Sequence, residues 1–411
     1  MKPGALGPAG AQGAAGKPEE RRLAWAYLSR VVLGPCPALT ALIDSVGILE
    51  AARAVREREL PDVLRAPTAQ RRSQDMAVRD LETIDALGGR LVTPEDPEWP
   101  AWRMLGLSQL EPGRDPDGGV PLVFWVRGHR NLADLTERAL AVVGARCSTG
   151  YGDRAAGELA GELAARGWTV VSGAAFGIDG MAHRAALAVG GATIAVLACG
   201  VDRPYPAQHD RLLARIADTG LVVSEYPPGT VARKHHFLAR NRLIAALADG
   251  VLVVEAGIRS GARNTVKWAR RMGRPALAVP GSVDSAASAG CHRMIRDGEA
   301  LLVSCVDDIL TDAAPLHLPL TGTPEAAAAE QLTDTQACVY AALPDTGGCW
   351  PHELCTATGL AVAEVRAALA ALDLAGLAGS GGSGWYRPVH GAVSTDRGGR
   401  GCGAGAVPGA G

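Results

Sequence analysis

The sequence predicts an α/β protein built on a doubly wound, mostly parallel sheet, with a small helical domain before it and a winged-helix domain after it. Three observations predict this. Seven short apolar, β-branched runs recur between residues 139 and 303: Ala139–Val143, Thr169–Ser172, Ala192–Ala198, Leu221–Ser224, Val251–Glu255, Ala276–Val279 and Leu301–Val303. Amphipathic helical patterns separate them, at 152–165, 178–189, 208–217, 237–248 and 262–272. Strands apolar on both faces that alternate with helices belong to a sheet covered on both sides. Third, glycine, serine and arginine collect where the runs end, the edge at which such sheets bind ligands.

In chain order, residues 1–20 are Gly/Ala/Pro-rich and read as a disordered leader. Residues 21–90 read as a helical domain of SAM or helix-hairpin-helix type: Leu23 to Leu28 recurs at helical spacing, and Ile43, Val46, Leu49 and Ala52 repeat it. Prolines 94, 97 and 100 and the Gly/Pro/Asp-rich stretch 111–121 read as connectors. The α/β domain occupies 95–312. After a Pro/Ala-rich connector, 330–388 reads helix, helix, helix, hairpin, the winged-helix pattern. Its third helix, from Ala361 to Leu374, carries only Glu364, Arg366 and Asp373 as charges, a poor match to a phosphate groove, so protein contact or a regulatory cover is expected of this module. Residues 389–411 form a Gly-rich tail.

Composition narrows the function class. Aromatics are only 4% of the chain, so a surface built mainly from stacking platforms is not expected and charge should dominate any nucleic-acid contact, with room for one well-placed aromatic. The net charge is −2, yet between Arg233 and Arg274 ten Lys/Arg face only Asp249 and Glu255, a local balance of +8. Charge concentrated in this way attracts a polyanion without making the whole surface adhesive. Nine cysteines with no CxxC pair suit a reducing compartment, and neither a signal peptide nor an apolar run of membrane-spanning length is present, so a cytoplasmic protein is expected. Cys338, Cys349, His352 and Cys355 have no usual zinc spacing and read as small buried hydrophobes, so no metal is expected.

Four strand ends carry the candidate chemistry. At the first, Gly144-Ala145-Arg146 precedes a helix start, where backbone N–H groups and the guanidinium can hold a phosphate; the alternative is a tight turn with a solvent-facing arginine. It is neither Walker A nor GxGxxG, so no cofactor is expected. The second end, Ser172-Gly173-Ala174-Ala175-Phe176-Gly177-Ile178-Asp179 with His183 beyond, has the residue types of a hydrolytic triad but no nucleophile elbow; Asp179 then caps a helix and His183 packs. At the third, Lys234, Phe237, Arg240, Asn241 and Arg242 lie close together on a loop and first helical turns. At the fourth, Ser260-Gly261 opens a helix bearing Arg263, Lys267, Arg270, Arg271 and Arg274 largely on one face, either a second cationic contact or a solvated helix face.

These motifs, together with Ser224-Glu225-Tyr226-Pro227-Pro228-Gly229, Phe237-Leu238-Ala239-Arg240-Asn241-Arg242-Leu243-Ile244-Ala245, Val254-Glu255-Ala256, Ala278-Val279-Pro280-Gly281 and Gly290-Cys291, resemble in order and context the DNA-processing protein A (DprA, or Smf) family of bacteria over residues 95–310. The resemblance implies an extended Rossmann fold that binds single-stranded DNA, forms a homodimer and loads the RecA recombinase during natural transformation, with single-strand-binding protein as a further partner. Carried over by motif position, the DNA-binding set is Arg146, Ser172, Gly173, Lys234, Phe237, Arg240, Asn241, Arg242, Arg263 and Lys267, with no catalytic residue and no metal. Phe237 would stack on or wedge beside a base. Two departures stand out: Ala145 where family members often have Ser, and Arg263-Asn264-Thr265-Val266 where they often have an apolar run.

The rival from another class is a nucleotide-hydrolysing enzyme of phosphoribohydrolase type on a similar scaffold. Its Pro-Gly-Gly-x-Gly-Thr loop is absent, since Glu255 is followed by Ala256-Gly257-Ile258. A transcription regulator acting through the winged helix is disfavoured by the charges on its third helix.

Overall fold

The computed structural model describes residues 17–110, 118–313, 332–344, 348–374, 377–381 and 384–387. The leader before residue 17, most of the two connectors and the Gly-rich tail lie outside the described residues. The chain divides into two compact units, Met1–Pro315 and Leu316–Gly411.

The first unit opens with five helices, α1 (Pro18–Val32), α2 (Pro37–Val46), α3 (Ile48–Glu57), α4 (Asp62–Ala69) and α5 (Ala77–Ala86). Proline at the first position of α1 and α2 explains their sharp starts, since its missing N–H has no intrahelical partner there anyway. Helix α1 thus begins inside the stretch expected as leader. The helices do not close a core of their own: Tyr27, Leu28, Leu39, Ile48 and Val55 form one buried cluster with Trp125, Leu197 and Val222 of the sheet region.

The sheet has nine strands. β1 (Gly89–Val92) and β2 (Phe124–Arg127) precede the seven expected runs, which become β3 (Ala139–Val143), β4 (Thr169–Ser172), β5 (Thr193–Val196), β6 (Leu221–Ser224), β7 (Gly250–Val253), β8 (Ala276–Ala278) and β9 (Leu301–Leu302). Their order is β1-β2-β6-β5-β4-β3-β7-β8-β9. β3 to β9 are parallel, whereas β2 runs antiparallel to both β1 and β6. Two-sided burial is visible residue by residue on β3: Ala139, Ala141 and Val143 join one core and Leu140 and Val142 another, as the two-residue period of a strand requires.

Helices α6 (Ala101–Ser108) and α7 (Leu132–Thr136) flank β2; α8 (Gly150–Ala165), α9 (Ile178–Ala188), α10 (Asp210–Thr219), α11 (Lys234–Ala246), α12 (Ala262–Arg271), α13 (Ala289–Arg296) and α14 (Val306–Ala313) complete the unit. Below the sheet's amino-terminal edge, Arg103 and Asp249 form a buried bidentate pair at 2.7 and 2.8 Å, and Asp249 also accepts from the Ala139 amide.

The topology sets the site. From β3 the chain winds through β4 and β5 to β6, then returns to lay β7 on the other side of β3. The connections leave β3 and β7 in opposite directions, so a crevice opens between their carboxyl ends.

The second unit has its own core, with Val339, Leu354, Val365, Leu369 and Leu372 from α15 (Asp334–Ala342), α16 (Pro351–Thr358) and α17 (Val362–Leu374). A two-stranded antiparallel pair, β10 (Gly379–Gly381) and β11 (Gly384–Tyr386), supplies the wing. No single helix among the described residues is long and apolar enough to cross a membrane, and no group of three His, Cys, Asp or Glu among them converges to hold a metal.

Candidate nucleic-acid interface

The β3–β7 crevice is framed by a tightly held loop. A side chain on Gly144 would collide with Ile178 and with the Glu255 carbonyl, so the chain leaves β3 by a path that only glycine allows. The Ala145 amide donates to the Glu255 carbonyl at 2.7 Å. Glu255 is buried, and its carboxylate accepts from the Thr149 amide at 2.8 Å and the Thr149 hydroxyl at 2.7 Å. Thr149 in turn caps α8 by accepting from the Gly152 amide. From the other side Gly177, with φ of +73°, leaves no room for a side chain, since a β-carbon there would meet the Ala145 carbonyl. Held on both sides, this loop carries the exposed Arg146 outward.

Arg146 lies on one wall of a groove of about 650 Å³ that also takes in Phe237, Leu238, Arg240, Asn241 and Arg259. The Arg146 guanidinium carbon stands 5.3 Å from the Phe237 ring centroid, within cation–π range. Phe237 is half-buried and Leu238 exposed, giving the groove an apolar lip beside its cation. Asn241 donates to the Asn264 amide oxygen at 3.2 Å and so ties α11 to α12. Lys234 is exposed on the first turn of α11, and Arg259 is exposed on the loop after β7. A cation, a ring face and an amide around one open crevice can bind a phosphate and an unstacked base together.

Four of the expected contacts are placed behind this surface. Arg242 has no exposed side-chain area and makes a bidentate pair with Glu225 at 2.7 and 2.6 Å, with further bonds to the Ala239 and Gly119 carbonyls. It cannot grip phosphate without stranding a buried carboxylate, so the assignment of Arg242 as a DNA ligand is corrected to a structural one. Ser172 is fully buried and donates to the Val142 carbonyl at 2.6 Å. Gly173 makes room for protein rather than ligand, because a β-carbon there would meet the Arg240 guanidinium. Arg240 lines the groove floor but is itself buried, donating to the carbonyls of Gly173 and Val196.

The charge on Arg240 is balanced by Asp179. Burial pulls the guanidinium below its ordinary value and Asp179 opposes that shift, while burial raises Asp179 and Arg240 is foremost among the groups opposing it. Asp179 also accepts from the Gly173 and Ala175 amides at 3.1 and 3.4 Å, which holds the chain through Ala174, a non-glycine residue at φ +53°. Such a conformation costs roughly 1–3 kcal/mol and persists only where its surroundings enforce it.

Arg263 and Lys267 fall elsewhere. With Arg270 and Arg271 they line a second depression of about 560 Å³ on α12, in which Arg263 is paired with Glu299 at 2.5 and 2.8 Å. Arg274 leaves the expected stripe altogether and donates to the carbonyls of Ala245, Ala246 and Ala248 at the end of α11. Ser172 and His183 are not arranged as nucleophile and base, since buried His183 meets the Thr193 hydroxyl at 2.7 Å. Two groove-side residues were missed. Arg259 was counted in the basic run but not placed in the site, although it directly precedes the Ser260-Gly261 motif. Tyr205, exposed with its ring 5.1 Å from that of Phe237, comes from a loop after β5 that carried no charge signal.

The family model of DNA recombination-mediator protein A matches residues 90–314, more than half of the chain. The chain belongs to that family. A DNA processing protein DprA of Mycobacterium tuberculosis is 47% identical over 363 residues, which cover 88% of this chain and 93% of the relative. Protein Smf of Escherichia coli is 42% identical over 191 residues, 46% of this chain and 50% of its own length. Among solved structures, DNA processing protein A from Streptococcus pneumoniae superposes with a TM-score of 0.58 at 30% identity, covering 71% of this chain and 97% of that one. The DprA winged helix domain matches residues 323–382. The Rossmann-like sheet and the winged helix are therefore those of a family of DNA-processing proteins.

Proposed function

We propose that the protein binds single-stranded DNA, without regard to base sequence, in the groove at the β3–β7 switch point. The observation that carries this reading is the exposed Arg146 guanidinium set beside the half-buried Phe237 ring. A single strand offers a phosphate and a free base face together, whereas a duplex keeps its base faces stacked. Arg146, Arg259 and Lys234 meet phosphates, Phe237 meets a base, and Asn241 bonds to the strand at the junction with α12. Arg240, Ser172 and Gly173 act one layer behind as the floor that fixes the loops. Arg263 and Lys267 belong to the second cationic patch, where a longer strand continues.

Family membership supports a mediator's role in which the bound strand is passed to the RecA recombinase, in the cytoplasm and as a homodimer, with single-strand-binding protein as a further partner. A nucleotide-hydrolysing role has less support, because the Glu255 carboxylate is committed to Thr149 and Ser172 to the Val142 carbonyl. Fluorescence anisotropy with a labelled strand of about 20 nucleotides, against its duplex and against strands of other composition, tests the proposal. Preference for the single strand irrespective of sequence is expected. Equal affinity for duplex, or turnover of a nucleotide by the purified protein, would overturn it.

A further inference from the structure

Tyr205 stands apart from the basic features of the site. Its side chain is 46% exposed, and its ring centroid lies 5.1 Å from that of Phe237 with the planes inclined at 50°. The chain has few aromatics to spend: of its three phenylalanines only Phe124 is in the core, while Phe176 and Phe237 are on loops and helix starts beyond the strand ends. Tyr205 is exposed beside the half-buried Phe237, so the two neighbouring rings leave π surface open to solvent outside the core.

The loop that presents Tyr205 is held before any ligand arrives. Both Asp202 carboxylate oxygens accept from the Gly229 amide at 2.9 Å, the Gly200 amide donates to the Thr230 carbonyl at 3.0 Å, and the Arg203 amide donates back to the Gly200 carbonyl at 2.9 Å. Cys199 adds a bond from its thiol to the Arg203 carbonyl. These contacts fasten the loop to the Pro227–Thr230 turn, which lies just before α11 and Phe237. A ring positioned in advance binds without the ordering cost that a flexible side chain incurs.

We infer that Tyr205 is a second base-stacking residue, which with Phe237 forms a two-ring platform for successive unpaired bases of a single strand. This rests on the single-strand reading of the groove. With the Arg146 guanidinium 5.3 Å and the Tyr205 ring 5.1 Å from the Phe237 ring, the order of contacts in this reading is phosphate at the guanidinium, one base on Phe237, the next on Tyr205. The 50° inclination suits bases splayed apart, as they are in an unpaired strand, and mismatches the parallel stack of a duplex. Arg203, two residues before Tyr205, stays with the loop anchor, its guanidinium 4.0 Å from the Asp202 carboxylate.

The test is a cycle between side chain and base. Tyr205→Ala, Tyr205→Phe and the wild-type protein are titrated with a thymidine strand of about ten nucleotides and with the same strand in which all bases are replaced by abasic sugars, which keeps every phosphate. Stacking predicts that Tyr205→Ala weakens binding to the thymidine strand about 5- to 100-fold, leaves the abasic strand unchanged, and that Tyr205→Phe retains wild-type affinity. Equal weakening on both strands, or none on either, overturns the inference while leaving the groove reading intact. If the wild-type protein binds neither strand, the groove reading fails and this one with it. Should Tyr205→Ala prove unstable in a thermal melt, Tyr205→Leu decides the same question, because it keeps apolar volume and lacks the flat π-face. A strand with 2-aminopurine gives the direct readout: its fluorescence is quenched by the wild-type protein and recovers with Tyr205→Leu if the ring stacks, and stays equally quenched if it does not.

Discussion

Replacing Arg242 by alanine separates a structural arginine from a DNA-contacting one. The Arg242 and Glu225 side chains are 0% and 2% exposed, joined at 2.7 and 2.6 Å. Removing the guanidinium strands a carboxylate inside the protein and frees the carbonyls of Ala239 and Gly119, which accept from it at 2.9 Å. Breaking a buried pair from one side costs about 3–5 kcal/mol. At roughly 2–4 °C per kcal/mol for a large domain, the melting temperature of the first unit should fall by about 6–20 °C. Thermal unfolding followed by circular dichroism measures it, with anisotropy on the folded protein at a temperature well below the transition. Binding by the folded fraction should be nearly normal. The double substitution Glu225→Leu with Arg242→Met should recover much of the loss, because replacing both partners leaves no unpaired charge. Arg146→Ala should do the converse, changing stability by no more than about 0.5 kcal/mol while weakening single-strand binding. If Arg242→Ala melts like the wild type yet loses DNA, Arg242 is a ligand and the burial argument is wrong.

Gly177→Ala should destabilise by more than about 1 kcal/mol, since alanine at φ +73° is strained and its methyl would meet the Ala145 carbonyl; it should also weaken DNA binding by displacing the Arg146 loop, and a variant with unchanged melting and affinity would refute that loop's anchoring. His183 should make the fold acid-sensitive: burial, foremost, lowers its pKa to about 3, so the unfolded chain binds a proton between roughly pH 6.5 and 3 that the folded one refuses. Stability should then decline as pH falls through that window by up to about 1.4 kcal/mol per unit from this group, and His183→Asn should flatten the decline in a pH series of urea titrations. Charge reversal of Lys267 and Arg270 should weaken binding of a strand of about 30 nucleotides and spare one of about eight, if α12 carries only the continuation of the strand; equal loss on both would place α12 in the primary site.

The seven parallel strands were legible because each is an apolar run bounded by glycine or charge, and a buried parallel strand needs little else. β1 and β2 were not, because Gly89–Val92 and Phe124–Arg127 are four-residue strands beside Pro- and Gly-rich connectors, and their pairing is decided by distant β6. In the candidate site, the placement of Arg146 and Phe237 beyond the strand ends was legible from strand-end position. Arg240 and Arg242 were misread as surface cations because charge alone does not reveal a face. One signal was available. From Leu243 to Ala248 α11 and its continuation have no polar face, and a helix apolar all round is buried, so charges at its entrance must either be paired inside or stop short of the core. Tyr205 had no local signal: its meaning comes from the ring of Phe237, thirty-two residues away in sequence.

The same correction changes the expected salt dependence. Ten Lys/Arg between Arg233 and Arg274 would, if all met phosphate, give a log–log slope of about −7 on a single strand. Four of them are occupied within the protein: Arg242 by Glu225, Arg263 by Glu299, Arg240 by Asp179 and two carbonyls, and Arg274 by carbonyls at the end of α11. Lys267, Arg270 and Arg271 face the separate depression on α12. Arg233 stands before α11 and outside the groove's lining, so a strand short enough to fill only the switch-point groove would meet Arg146 and Arg259, with Lys234 at the rim. Three phosphate contacts at about −0.7 each give a slope near −2, and Arg146→Ala should reduce its magnitude by about 0.7. The measurement is the dissociation constant of a strand of about eight nucleotides across a salt series at fixed pH. A slope of about −5 or steeper would mean that arginines now paired with Glu225 and Glu299 exchange those carboxylates for phosphate on binding, and the fixed-floor description of the groove would have to give way to one in which DNA rebuilds it.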